Sequence, residues 1–436
     1  MPRALVAKPS DRLLIQGARI LDPELKLDQI LDVLIEGGRI KRVATDITAS
    51  LDYERVFAKG LIVTPGWFDM HVHFREPGRE DEETVLTGCA AAVAGGFTGV
   101  CTMPNTSPTV DKREIVEAII RQGQKTMVEV YPIAAATKGR EGKELAEMAE
   151  LSEAGAVAFS DDGCAIATAE LVRRALEYAG MFNRPIIEHA EDPTMCQGGV
   201  MNEGMIATRL GLPGLPTAAE DLIVARDILL AEYTGRHVHV AHISSKGAIE
   251  LVRHAKRRAL HVTCEVTPHH FSLTHEAVVG YDTNTKMNPP LRTAEDVAAV
   301  IAGLQDDTID VIATDHAPHA AEEKELEYST APFGIVGLET ALGLILTNLV
   351  HTRKLSLTQA VAKVTTTPRK VLNLPAVHVQ EGMPANLTLF SLDKKWQVDR
   401  NRFYSKSRNT PFHGRELTGQ VFGVYNKGQW WQNPDF

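Results

Sequence analysis

From about residue 60 to residue 315, short apolar runs alternate with stretches of helical periodicity, and no other feature of the chain restricts its fold as tightly. The strand-like runs cover 61–73, 97–103, 128–135, 156–161, 185–189, 237–243, 261–266 and 309–314. Helical patterns fall between them, among others at 80–94, 112–124, 167–180, 218–233, 246–257 and 294–304. A run that is apolar throughout, rather than at alternate positions, is buried on both faces, as in a parallel sheet covered by helices. Eight such units in about 250 residues fit a closed (β/α)8 TIM-type barrel. A doubly wound open sheet is the competing arrangement, but no GxGxxG follows the first strand.

The two ends of the chain read differently. Runs at 13–21, 32–44 and 55–63 are strand-like, and Gly37-Gly38 inside the second is a hairpin signal. At the other end 385–391 and 419–431 look alike, with Gly428 in a turn. The ends together predict one small β-sandwich domain, residues 1–62 with 376–436, around a catalytic barrel at 63–375.

Chemistry enters where the apolar runs stop. The first run ends Asp69-Met70-His71-Val72-His73, and residues two apart in a strand share a face, so both imidazoles can grip one ion. Alone, that pair is as readily explained by packing. The fifth run, however, ends Glu188-His189, the sixth Ala241-His242 and the eighth Thr314-Asp315. In a barrel these termini converge at the C-terminal mouth, where active sites sit. Four histidines and an aspartate there make an N/O site suited to Zn²⁺ or a similar metal. The fourth run ends Asp161-Asp162-Gly163; one of these carboxylates could bridge two metals, and the competing reading is an Asp-Gly turn.

A formal net charge of −10 argues against nucleic acid or an anionic membrane surface as partner. An anionic substrate would therefore need a local cation, and Arg75, two residues past His73, has the planar fork to hold a carboxylate. The five cysteines are scattered without a CxxC pair and read as free buried thiols of a reducing compartment. Residues 1–12 lack the apolar core of a signal peptide, and no run of about 18 apolar residues occurs, so a cytoplasmic protein is expected.

The segment His71-Val72-His73-Phe74-Arg75-Glu76-Pro77-Gly78 resembles the signature of the dihydroorotases. So, in the same order, do Met103-Pro104-Asn105-Thr106, Lys286-Met287-Asn288-Pro289-Pro290-Leu291-Arg292, Ala313-Thr314-Asp315-His316-Ala317-Pro318-His319 and Ala331-Pro332-Phe333-Gly334. The similarity is to the bacterial type I enzymes of the amidohydrolase superfamily and runs through the whole barrel. Many members of that superfamily carry a carboxylated lysine on the fourth strand; this chain has none, and the type I pattern points to Asp162 as the ligand. The resemblance implies zinc, one or two ions per subunit, held by His71, His73, Asp162, His189, His242 and Asp315. It implies the reversible hydrolysis of (S)-dihydroorotate to N-carbamoyl-L-aspartate in pyrimidine synthesis. Asp315 would shuttle the proton from the attacking water to the leaving nitrogen. Arg75, Asn105, Asn288, His319, Phe333 and Gly334 are the substrate contacts it suggests. It leaves a homodimer and association with aspartate transcarbamoylase open.

Other polar residues take plainer readings. His269-His270 is packing or lies just behind the site, His237 and His239 lie deeper along their strand, and His316 and Glu188 face away from their ligand neighbours. The run Glu322-Glu323-Lys324-Glu325 reads as a solvated loop placed to cover the site. Two alternatives stand beside the main reading: another cyclic-amide hydrolase, such as an allantoinase or hydantoinase, and an inactive homologue scaffolding the transcarbamoylase. Arg75 and the missing lysine oppose the first, and the intact histidine set opposes the second.

Overall fold

Hydrophobic runs without a polar face must be covered on both sides, and the computed structural model, which describes residues 3–436, shows how this is done. Eight parallel strands form the barrel wall: Trp67–Val72, Phe97–Thr102, Glu129–Pro132 continued by Ala134–Ala135, Phe159–Ser160, Ile186–Glu188, Val238–Val240, Val262–Val266 and Val311–Ile312. The ring closes where Val72 bridges His316 in parallel and the His73 amide donates to the His316 carbonyl at 2.8 Å. A helix follows each strand: Val85–Ala94, Arg113–Gly123, Met148–Ala154, Ala169–Gly180, Thr217–Thr234, Lys246–Arg257, Ala294–Gln305 and Leu338–Ile345. The third and eighth of these complete the eight β/α units. One large apolar cluster lies between strands and helices, and a second, including Phe68, Met70, Ile133, Ile187 and Val311, forms a separate buried group beneath the mouth.

Several expected elements have different bounds, the run 55–63 among them, which is two strands, Glu54–Phe57 and Leu61–Pro65. The run 61–73 is two strands, Leu61–Pro65 in the terminal sheet and Trp67–Val72 in the barrel. The corner is Gly66, where a Cβ would lie 1.9 Å from Asn386 Oδ1 and 2.1 Å from Thr98 Oγ1, so a larger residue has no room. The helix expected over 80–94 starts only at Val85, because Thr84 and Thr87 form a reciprocal capping box. Residues 80–83 are left as loop, with Glu82 and Glu83 buried.

The terminal sheet has nine strands and interleaves both chain ends: Leu387–Gln397 pairs with Leu61–Pro65, which pairs with Arg12–Asp22. The expected hairpin turn is present at Gly37-Gly38, both with positive φ. Arg12–Asp22 shifts register around Gly17, pairing first with Glu54–Phe57 and then with Leu61–Pro65. This module packs around its own core of Leu13, Ile15, Val33, Val63, Leu389 and Trp430. We place the change of module at Gly66; residues 1 and 2 of the expected first segment lie outside those described. No helix among the described residues is long and apolar enough to cross a membrane. No cysteine is in a disulfide, and Cys89, Cys101 and Cys264 are buried, whereas Cys164 is exposed and Cys196 only partly covered.

Candidate metal centre and its substrate side

The strand ends bring His71, His73, Asp162, His189, His242 and Asp315 to one mouth, all buried. Asp162 sits at their centre. Its Oδ1 lies 3.4 Å from His71 Nε2, 3.7 Å from His189 Nδ1 and 3.7 Å from His242 Nε2, and its Oδ2 lies 3.5 Å from His73 Nε2. Two triads therefore share one carboxylate: His71, His73 and Asp162 on one side, and Asp162, His189 and His242 on the other. Asp315 Oδ1 reaches His73 Nε2 at 3.0 Å and His71 Nε2 at 3.6 Å. Asp161 turns the other way, accepting from the Thr137 amide at 2.9 Å and from its hydroxyl at 2.5 Å, as alternation along a strand requires.

These residues fit a metal on the grounds of what they leave unsatisfied. His71 Nε2, Asp162 Oδ1 and His242 Nδ1 are buried without a hydrogen-bond partner, although such atoms in folded proteins are nearly always paired. The donor set is imidazole and carboxylate, the combination that binds Zn²⁺ and related ions. Protonation tells the same story. Burial opposes ionisation of Asp162, but His71, His189 and His242 outweigh it and hold the carboxyl well below the usual range. Burial likewise opposes protonation of His189, yet Asp162 and Glu191 lift its pKa to about 10. The raised His71 and His189 balance a carboxylate that a cation would balance when bound. The backbone is strained at the same place: His242 has φ 31°, Asp315 φ 48° and Arg75 φ 47°, a region non-glycine residues enter only under constraint.

A group the sequence did not single out holds this set in position. Glu265, inside the seventh strand, accepts from His71 Nδ1 at 2.6 Å and so turns His71 Nε2 toward Asp162. Burial would raise its pKa, but His71 and His239 keep it at about 2. Behind it, His239 Nε2 lies 3.4 Å from the second Glu265 oxygen and its Nδ1 is 2.8 Å from Thr263 Oγ1, which is also 2.7 Å from His237 Nε2. The two deeper histidines thus have the supporting place expected of them. The available signal was a lone acid inside an otherwise buried run, Val262–Val266.

The predicted substrate contacts gather on the loop side of the mouth. Asn105 Oδ1 is 2.7 Å from His73 Nδ1, and Asn288 Nδ2 is 3.3 Å from His189 Nε2. His319 Nε2 is 2.7 Å from the Phe333 carbonyl and 3.4 Å from a terminal nitrogen of Arg75. Burial, then the charges of Arg75 and Lys324, push the His319 pKa down to about 3. Gly334 has φ 124° and a Cβ there would meet that of Ala317 at 2.6 Å. Arg75, Asn105, Glu82, His319 and Glu323 line a cavity of about 240 Å³. Glu82, His319 and Glu323 form a third cluster of metal-ligating types, but guanidinium groups already serve it: Glu82 pairs with Arg75 and Arg79, and Glu323 with Arg79.

The 322–325 run departs from the expectation of a solvated loop. Ala321–Lys324 is a short helical turn, and Lys324 is buried, donating to the carbonyls of Pro332 at 2.8 Å and Gly334 at 3.0 Å. It ties this segment to the Phe333-Gly334 loop, and the exposed part is Glu322 and Glu325. His316 faces away from the centre, toward Glu83, and Glu188 faces Arg226, as expected. His270 is packed between Thr267 and the Pro289 carbonyl, while His269 is buried with Nε2 unpartnered.

Comparison with known proteins gives this arrangement its family. Residues 60–248 match the family model described as dihydro-orotase-like. The dihydroorotase of Pelotomaculum thermopropionicum is 53% identical over 408 residues, covering 94% of this chain and 95% of the relative. That of Geotalea daltonii is 50% identical, covering 93% and 96%. Among solved structures, L-hydantoinase from Arthrobacter aurescens superposes with a TM-score of 0.85 over 96% of this chain and 95% of its own, at 24% identity. Dihydropyrimidinase from Brevibacillus agri gives 0.82 at 20% identity, over 96% and 94%. The last two carry the fold alone: a TIM-type barrel joined to a β-sandwich. With half its residues shared along nearly its whole length, the chain belongs to the dihydroorotase family.

Proposed function

We propose that the protein hydrolyses the ring amide of (S)-dihydroorotate to N-carbamoyl-L-aspartate, and closes the ring in reverse, as a step of pyrimidine synthesis. The observation that carries this reading is the pair of triads sharing Asp162, with Asp315 on one side and Arg75 on the other. The metal is zinc, one or two ions per subunit, with His71, His73, Asp162, His189, His242 and Asp315 as its holders. Bound zinc supplies Lewis acidity, activating water and polarising the amide carbonyl.

The chain's own residues do the rest. Asp315 is held ionised at neutral pH, because His73, His71 and His242 outweigh the burial that would protonate it. It can therefore take a proton from the attacking water and hand it to the leaving ring nitrogen. Ring closure runs the same transfer backwards, so hydrolysis gains as pH rises and synthesis as pH falls, through an ionisation shared by the centre rather than owned by Asp315. Arg75 presents its guanidinium to the substrate carboxylate, with Asn105, Asn288, His319 and the Phe333-Gly334 backbone completing the contacts. That supplies the local cation an acidic protein needs for an anionic substrate. Unpaired cysteines fit a cytoplasmic setting.

The test is a side-by-side assay of dihydroorotate, allantoin and dihydrouracil. The reading expects turnover of dihydroorotate to exceed the other two by orders of magnitude. Equal or better turnover of a ring without a carboxylate would overturn the substrate and with it the role given to Arg75.

A further inference from the structure

A carboxylate buried beside an anion-binding arginine is at first sight misplaced, since its charge repels the substrate. Glu82 is such a residue: it is 2% exposed and stands in the loop between the first strand and the first helix. Its Oε2 lies 3.2 Å from Arg75 Nε, and its Oε1 lies 3.1 Å from both His319 Nδ1 and Arg79. Glu82 is the only carboxylate within ion-pairing distance of Arg75 among the described residues. The Pro318 carbonyl takes Arg75 Nε from the same side, at 3.1 Å. Both partners therefore hold the guanidinium by its Nε edge, and one terminal nitrogen is turned toward His319 and the cavity they share. Glu82 is itself pinned: its amide donates to the Arg79 carbonyl at 3.0 Å and its carbonyl accepts from Ser407 Oγ at 2.8 Å. Arg79 then bridges Glu82 to Glu323 at 2.7 Å, across to the loop that carries Phe333 and Gly334.

We propose that Glu82 is a positioning residue for substrate recognition: it fixes Arg75 and His319, which follow the first and eighth strands where the barrel closes, in one orientation before substrate binds. The proposal rests on the reading of Arg75 and His319 as substrate contacts. The gain is pre-organisation rather than a new contact. The Glu82 oxygens face three nitrogens, Arg75 Nε on one side and His319 Nδ1 and Arg79 on the other, so both serve as acceptors.

Glu82→Ala removes both acceptors and Glu82→Gln one of them. Removing the anchor in Glu82→Ala should raise KM for dihydroorotate by roughly 10–100-fold while kcat and bound metal change little, the cost of a misplaced binding group. Glu82→Gln keeps one acceptor but turns an NH2 toward a nitrogen donor on the other side, so it should recover only part of that loss. Arg75→Met is run alongside. If Arg75→Met raises KM but Glu82→Ala leaves it within twofold, Glu82 has no positioning role. If Glu82→Ala cannot be obtained folded, a Glu82→Gln enzyme with KM within twofold of the unsubstituted protein contradicts the proposal, since one acceptor would then be lost without effect. If Arg75→Met itself leaves KM unchanged, the substrate reading fails, which is a separate result.

Discussion

The two halves of this mouth satisfy their polar atoms in opposite ways. On the strand-end side, His71 Nε2 and Asp162 Oδ1 face each other with no partner, and His242 Nδ1 is buried unpaired. On the loop side, Glu82 alone meets Arg75, Arg79 and His319, and Lys324 ties down the backbone of Pro332 and Gly334. One half is incomplete until a cation arrives; the other is largely assembled in advance, with Asn288 Oδ1 and Glu323 Oε2 left unpaired. Removing a group should therefore cost chemistry or metal on the first side and substrate affinity on the second.

The largest loss is expected at Asp315. Asp315→Asn preserves shape but cannot accept a proton, and should lower kcat by ~10²–10⁴ in both directions, with metal largely retained. Near-normal rates in a metal-replete Asp315→Asn enzyme would move the proton shuttle elsewhere, with His319 the first residue to test. Next is Arg75→Met, which should cost roughly 2–5 kcal/mol in kcat/KM for dihydroorotate while the metal content stays as it was. A parallel fall in bound metal would blur the division between the halves.

Glu265→Gln sharpens the comparison from the metal side. With His71 no longer held by a carboxylate, metal affinity should fall about 10–100-fold, measured by competition with a chromophoric chelator. Unchanged affinity would reduce Glu265 to packing. The smallest effect is a pH dependence. In the metal-free protein His189 is raised to about 10 from 6.5, so its stabilisation is complete below pH 6.5 and lost as pH climbs through 10. Metal binding must displace that proton and strengthens over the same range. The gap in Tm between metal-loaded and metal-free protein should widen with rising pH; a gap that narrows contradicts the assignment of His189 as a ligand.

Much of the strand-end half was legible in the sequence, because a buried strand announces itself as an apolar run and its end as an imidazole or carboxylate. His71, His73, His189, His242 and Asp315 were each found that way. Alternation along a strand left one of the Asp161-Asp162 pair for the centre, and the family pattern chose Asp162. The loop half was read through resemblance, and its scaffolding was hidden. Glu265 meets His71 across 194 positions of chain, and Glu82 meets His319 across 237, distances over which no periodicity speaks. Glu82 also lay inside a segment read as helix, since apolar spacing does not reveal that Thr84 caps the helix later. Lys324 sat in a charged run that looked solvated, because composition cannot show one member of such a run turning inward. The break at Gly66 was masked by apolar residues on both sides, each belonging to a different sheet.

The central claim is that the convergent histidines and aspartates are a catalytic metal site acting on dihydroorotate. Its most direct test is dihydroorotate hydrolysis by one preparation before chelation, after chelation, and after zinc is returned, with metal content measured at each stage. The account predicts activity that disappears with the metal and returns with it, in proportion to occupancy. Full turnover in a preparation shown to be metal-free would contradict it.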